Sequence, residues 1–220
     1  MTRLAGPLYL DRSAQRLSAT GLGCFDPIAR SWAPDGPIAG EPVSLDDAVG
    51  WLQRDSGTPC RVPIGVIGPR EATLEERDAA FAVGAGLADL GLTLLCGGKT
   101  GVMEAACAGA ASRRGLSIGL LPDDDWRAAN AHVSVPIATG IGVARNAVIA
   151  RAALALIAIG GGYGTLSEIA FGLQFGRPVI ALLRAPAVAG TRPAASPRAA
   201  IELVCRYVLC VPDEFEAVAG

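Results

Sequence analysis

Two glycine-rich stretches carry the residue types and spacing best suited to chemistry. One is Cys96-Gly97-Gly98-Lys99-Thr100-Gly101; the other is Gly160-Gly161-Gly162-Tyr163-Gly164-Thr165, which runs into Leu166-Ser167-Glu168. Glycine lets the backbone turn tightly and bring its amides close to a ligand. Amides left free at a helix start attract anions, helped by the helix dipole. Both stretches therefore read either as cradles for phosphate or as tight turns that hold no ligand. Two ionisable residues accompany them. Arg145 follows Thr139-Gly140-Ile141-Gly142, in the first turn of a predicted helix, and is either a solvated surface residue or a cation facing the same rim. Glu168 closes a Thr165-x-x-Glu168 capping-box sequence, so it either caps its own helix or stands as a carboxylate beside the phosphate.

Other chemistries are narrowed by composition. The 220 residues hold one histidine, His132, and one lysine, Lys99. A Ser-His or Cys-His arrangement would run through His132 and a Schiff base through Lys99, and any site needing two histidines of one chain is excluded. The six cysteines form no C-x-x-C pair and no zinc-like spacing, so they read as buried reduced thiols and no metal site is expected. Asp123-Asp124-Asp125 reads as a solvated loop. Gly98-Lys99-Thr100 fails as the end of a P-loop, because Thr93 stands where its first glycine belongs. Gly162-Tyr163-Gly164 supplies only half of a dinucleotide fingerprint.

The elements that position these residues alternate from about Arg61. Strands are predicted at Ile64–Ile67, Leu92–Cys96, Leu116–Leu121, Val133–Ile137, Leu154–Ile159 and Val179–Leu183. Helices are predicted from Thr73 to about Leu90, over Val102–Arg113, Gly142–Ala153, Leu166–Phe175 and Ala199–Leu209. This alternation predicts an α/β, Rossmann-like three-layer sandwich with a mostly parallel central sheet, whose ligands bind beyond the carboxyl ends of the strands. Residues 61–220 form that domain. Residues 1–60 read as a turn-rich appendage packed on it, with short strands at Leu8–Leu10 and Gly23–Phe25 and a short helix opened by Ser44. Pro186–Pro197 reads as a mobile connection.

Gly160-Gly161-Gly162-Tyr163-Gly164-Thr165-Leu166-Ser167-Glu168 resembles the P-G-G-x-G-T-x-x-E motif of the LONELY GUY (LOG) proteins. Cys96-Gly97-Gly98-Lys99-Thr100-Gly101-Val102-Met103 resembles their Y-G-G-G-x-x-G-L-M turn, and Gly142-Val143-Ala144-Arg145-Asn146 their Met-x-x-Arg-Lys segment. Gly160, Gly142 and Asn146 depart from the motif proline, methionine and lysine. In these departures the chain looks closer to a LOG-like branch that includes the molybdenum cofactor carrier proteins. The resemblance implies a nucleoside 5′-monophosphate phosphoribohydrolase that needs no cofactor, with Arg145 and Glu168 as catalytic pair. Its alternative is a non-catalytic carrier of molybdenum cofactor or another phosphorylated ligand. The ligand would lie among Gly97, Gly98, Thr100, Gly101, Asn146, Gly161, Gly162, Tyr163, Gly164 and Thr165. It also implies a homo-oligomer, dimer or tetramer, with Val148–Ala153 and Leu166–Leu173 as contact helices.

The net charge of −2 with scattered basic residues gives no electrostatic basis for a nucleic-acid partner. Met1–Arg12 holds no apolar run fit for a signal peptide, and no stretch is long enough for a membrane span, so a cytoplasmic protein is expected.

Overall fold

The computed structural model describes residues 6–211, which fall into two compact units. One groups the described residues up to Cys60 with those from Glu202 onward; the other is Arg61–Ile201. The outermost residues of the predicted domains, 1–5 and 212–220, lie outside the described residues.

The first unit is an antiparallel sheet of β1 (Leu8–Asp11), β2 (Arg16–Ala19), β3 (Gly23–Asp26), β4 (Ser31–Ala33) and β5 (Glu41–Val43), in the order β4-β3-β2-β1-β5. Helix α1 (Leu45–Arg54) follows, opened by a capping box in which Ser44 and Asp47 satisfy each other's backbone amides. Leu8, Leu10, Leu17, Ala19 and Phe25 of the sheet are buried, as are Trp51 and Leu52 of α1. Two of the five strands lie where the sequence places short strands; the others are short segments set by their cross-strand partners.

The second unit holds a seven-stranded parallel sheet. Its strands are β6 (Ile64–Ile67), β7 (Leu94–Cys96), β8 (Ser117–Leu121), β9 (Val135–Ala138), β10 (Leu156–Ile159), β11 (Val179–Leu182) and β12 (Arg192–Pro193). Every residue of β6, β7 and β10 is buried, as expected of strands covered on both faces. The intervening helices are α2 (Leu74–Asp89), α3 (Val102–Ser112), α4 (Arg145–Ala152), α5 (Tyr163–Gln174) and α6 (Pro197–Val208), the last crossing from this unit into the other. Ile149, Ala150 and Ile169 of α4 and α5 close a core against Ile67, Leu95, Leu156, Ala158 and Val179. The fold of this unit is thus the Rossmann-like sandwich expected, and the small antiparallel sheet precedes it in the chain. Pro186–Pro197 is not simply a loop. It contains β12, whose Arg192 and Pro193 pair with Ile180 and Ala181.

Strand order in this sheet is β12-β11-β10-β6-β7-β8-β9. Consecutive strands step outward from β6 to β9, and the chain then returns to place β10 on the other side of β6. That reversal opens a crevice beyond the carboxyl ends of β6 and β10, where ligands bind in sheets of this kind. Both edges are blunted by proline, Pro136 in β9 and Pro193 in β12, which denies a neighbouring chain a continuous row of donors. No helix among the described residues is long and apolar enough to cross a membrane.

Candidate functional site

Three turns border the crevice. They follow β6 (from Gly68), β7 (Gly97–Gly101) and β10 (Gly160–Gly162). The two helices that start nearest to the reversal are finished differently. At α2 the Thr73 hydroxyl accepts the Glu76 amide, and the Glu76 carboxylate accepts the Thr73 amide at 2.8 Å, closing the helix end to anions. At α5 the N-cap is Gly162, and no side chain caps the helix. The Gly160 amide bonds to Leu182 and the Leu166 amide to Gly162. The five amides between them, Gly161 to Thr165, donate to no described residue. They form an open run at the positive end of a helix dipole.

Arg145 and Glu168 meet beside this run. The Arg145 Nη1 donates to Glu168 Oε1 at 3.1 Å, with side chains only 8% and 7% exposed. Helix α5 begins at Tyr163, so Glu168 lies well inside it, and its carboxylate turns to Arg145 rather than back to a cap. Burial pushes the Glu168 carboxyl up to about 7, with the Arg145 charge and hydrogen bond opposing. Burial also draws the guanidinium below its usual range, with Glu168 as the main opposing influence. The Arg145 Nε is buried and has no hydrogen-bond partner. Gly97 is the seat of this guanidinium: a Cβ there would lie 2.5 Å from Arg145 Nη1. A buried carboxyl titrating near neutrality is equipped for proton transfer, and a guanidinium with an unused donor is equipped to hold an oxyanion.

The remaining predicted residues divide. Gly161, Gly162, Tyr163 and Gly164 are exposed at the mouth, Tyr163 to 94%, whereas Thr165 is buried to 3%. Asn146 points its amide to the Ser167 hydroxyl at 3.0 Å, which in turn donates to the Gly164 carbonyl at 2.7 Å, so it braces the second turn from behind. Gly98 and Gly101 are buried with positive φ of 66° and 72°. Thr100 is exposed and reaches the Arg70 carbonyl. Gly160 has φ +57°, which proline cannot adopt, so the departure from the LOG motif follows from the backbone here. A Cβ at Gly160 would also run into the Glu76 carboxylate.

The three aspartates separate: Asp123 pairs with Lys99 at 3.0 Å and Asp125 with Arg127, while Asp124 is exposed. Cys96, Cys107 and Cys205 are buried as expected, but Cys60 and Cys210 are exposed. His132 stands exposed in the loop before β9. Arg70 is the residue that sequence reasoning passed over. It is exposed in the turn after β6, close enough for its charge to bear on Arg145 and Asp123. Its position after Gly68-Pro69 at the end of a buried strand was the available signal.

Comparison with known proteins gives a consistent picture. A protein of Archaeoglobus fulgidus is 41% identical over 138 residues, which cover 63% of this chain and 91% of that one. Among solved structures, the molybdenum cofactor binding protein of Rippkaea orientalis has a TM-score of 0.63 at 35% identity, covering 67% of this chain and 97% of that one. The molybdenum cofactor carrier protein of Chlamydomonas reinhardtii has a TM-score of 0.63 at 31% identity, covering 68% and 99%. Residues 61–202, which hold the sheet, both glycine turns, Arg145 and Glu168, match the model of the SLOG cluster4 family, and the chain belongs to that family.

Proposed function

We propose that this protein binds a phosphorylated small molecule in the crevice and serves as a carrier of molybdenum cofactor or a closely related phosphorylated pterin. The observation that carries this reading is the run of five unpartnered amides at the start of α5, beside the buried Arg145 with its unused Nε. An anion seated there accepts from the amides and is drawn by the helix dipole. The turn after β7 lies two strand spacings from the turn after β10, with β6 between them, so the two are roughly 10 Å apart. A ligand touching both is longer than phosphate itself: its phosphate occupies the α5 end and its ring system extends toward Gly97–Gly101. The similarity to cofactor binding and carrier proteins favours a pterin for that ring system.

A second reading is the phosphoribohydrolase implied by the LOG motifs, and Glu168 is the observation in its favour. With its carboxyl near 7, it can activate water and stabilise an oxocarbenium-like centre while Arg145 fixes the substrate. Neither reading calls for a resident cofactor. Copies of the chain are expected to pair through α4 and α5, where Val148 and Leu166 stand exposed, and light scattering on the purified protein tests this.

The deciding experiment is purification from molybdenum-replete cells, followed by metal analysis and pterin fluorescence. The carrier reading expects molybdenum and pterin in near-equal amounts on the protein. Their absence, together with adenine release from AMP that is lost in Glu168→Gln, would replace it with the hydrolase.

A further inference from the structure

Neither the family motifs nor the Arg145–Glu168 pair involves Asn130, which lies in the connection between β8 and β9. Its backbone amide donates to the Gly98 carbonyl at 2.9 Å, and its side-chain Nδ2 donates to the Lys99 carbonyl at 2.9 Å. Its Oδ1 accepts the His132 amide at 3.0 Å, which fixes the direction of the side chain and leaves Nδ2 facing the turn. One residue thus grips two successive carbonyls of the first glycine turn.

A trans peptide is planar, and its N–H points opposite to its C=O. Holding the Gly98 carbonyl turns the Lys99 amide away from Asn130; holding the Lys99 carbonyl does the same to the Thr100 amide. Asn130 lies on the β8 side of β7, so the opposite direction leads toward β6 and β10, where the crevice opens. The neighbouring contacts agree. The Thr100 hydroxyl reaches the Arg70 carbonyl on the β6 side, and a Cβ at Gly101 would run into the Pro69 and Arg70 carbonyls. The Gly98 amide is taken by Cys96 Sγ, but the amides of Lys99 and Thr100 donate to no described residue. Lys99 itself cannot swing in to replace them, since its ammonium is held by Asp123 and the Ala128 carbonyl.

We infer that Asn130 is a positioning residue, holding the Gly98–Lys99 and Lys99–Thr100 peptides so that both amides face the crevice as a second donor pair for the ligand. This rests on the reading of the crevice as a phosphorylated-ligand site. The ligand touches the backbone of Lys99 and Thr100, and Asn130 acts only through them.

Amide NMR on the labelled full chain tests it, with AMP as probe. In the wild-type protein AMP should shift the Lys99 and Thr100 amides together with those of Gly161–Thr165. In Asn130→Ala, affinity should fall about tenfold, equivalent to about 1.4 kcal/mol. The Lys99 and Thr100 shifts should be lost while Gly161–Thr165 still respond. Wild-type affinity and wild-type Lys99 and Thr100 shifts in Asn130→Ala would overturn the inference. If AMP moves no amide of the wild-type protein, the reading of the crevice as a nucleotide site fails instead. Residual dipolar couplings without ligand then decide Asn130 alone. Reoriented Lys99 and Thr100 N–H vectors in Asn130→Ala, and a reoriented Thr100 vector in Asn130→Asp, which keeps the bond to His132 but reverses the contact with Lys99, support the positioning role. Unchanged vectors in both variants overturn it.

Discussion

At Arg145–Glu168 burial works against both charges, and the consequences are measurable. The unfolded chain releases the Glu168 proton near 4.5, whereas the folded chain holds it to about 7. Between those values the native state carries a proton that the unfolded state has lost, so stability falls as pH rises across the window. The loss amounts to about 3 kcal/mol at most. Urea denaturation at pH 5 and pH 7.5 should reveal it, and Glu168→Gln should flatten the profile; an unaltered slope in that variant would assign the dependence to other groups. Gly97→Ala makes a complementary test. Its methyl would occupy the seat of the guanidinium, displacing Arg145 from both Glu168 and the anion. Ligand affinity is expected to fall about tenfold or more, as for loss of a charged hydrogen bond, with the fold retained by circular dichroism.

Among the elements, α2 and α3 depend on two glycines to approach each other. A Cβ on Gly84 would strike the Ala106 carbonyl, and one on Gly109 the Phe81 carbonyl. Gly84→Val is therefore expected to cost about 3 kcal/mol or more, read from the shift in urea midpoint. Thr73→Ala should cost only about 1 kcal/mol through the lost cap, and leave ligand affinity in place. The strands of the parallel sheet were legible because burial on both faces demands continuous apolar runs, as in Ile64–Ile67 and Leu156–Ile159. Strands β2, β4 and β5 were not, since nothing within their few residues sets them apart from turns. Helix α5 was expected to begin at Leu166 but starts at Tyr163. Gly164 has no side chain to extend the apolar stripe, so periodicity begins later than the helical hydrogen bonds. Arg145 and Glu168 could be singled out by motif. Their hydrogen bond and burial, and the two carbonyls gripped by Asn130, depend on packing between segments distant in the chain.

The molecule as a whole closes its first sheet with its last helix. Trp32 Nε1 donates to the Leu209 carbonyl at 2.7 Å, and Arg30 Nη2 to the Val208 carbonyl at 2.9 Å, so β4 and the turn before it cap the end of α6. Removing the chain from Glu202 onward should strip hydrogen-exchange protection from β1–β3 while the parallel sheet keeps its own. Full protection of β1–β3 in that truncation would show the sheet to be self-sufficient. The same arrangement imposes an order on birth at the ribosome. Residues up to Cys60 emerge before the parallel sheet, yet the segment that completes their unit begins at Glu202. At translation rates of about 5–20 residues per second, the nascent sheet waits roughly 7–30 seconds for its partner. Throughout that interval the Trp32 indole and the Arg30 guanidinium lack the Leu209 and Val208 carbonyls that they bind in the finished protein, which makes the young chain, rather than the finished protein, the natural client of a chaperone.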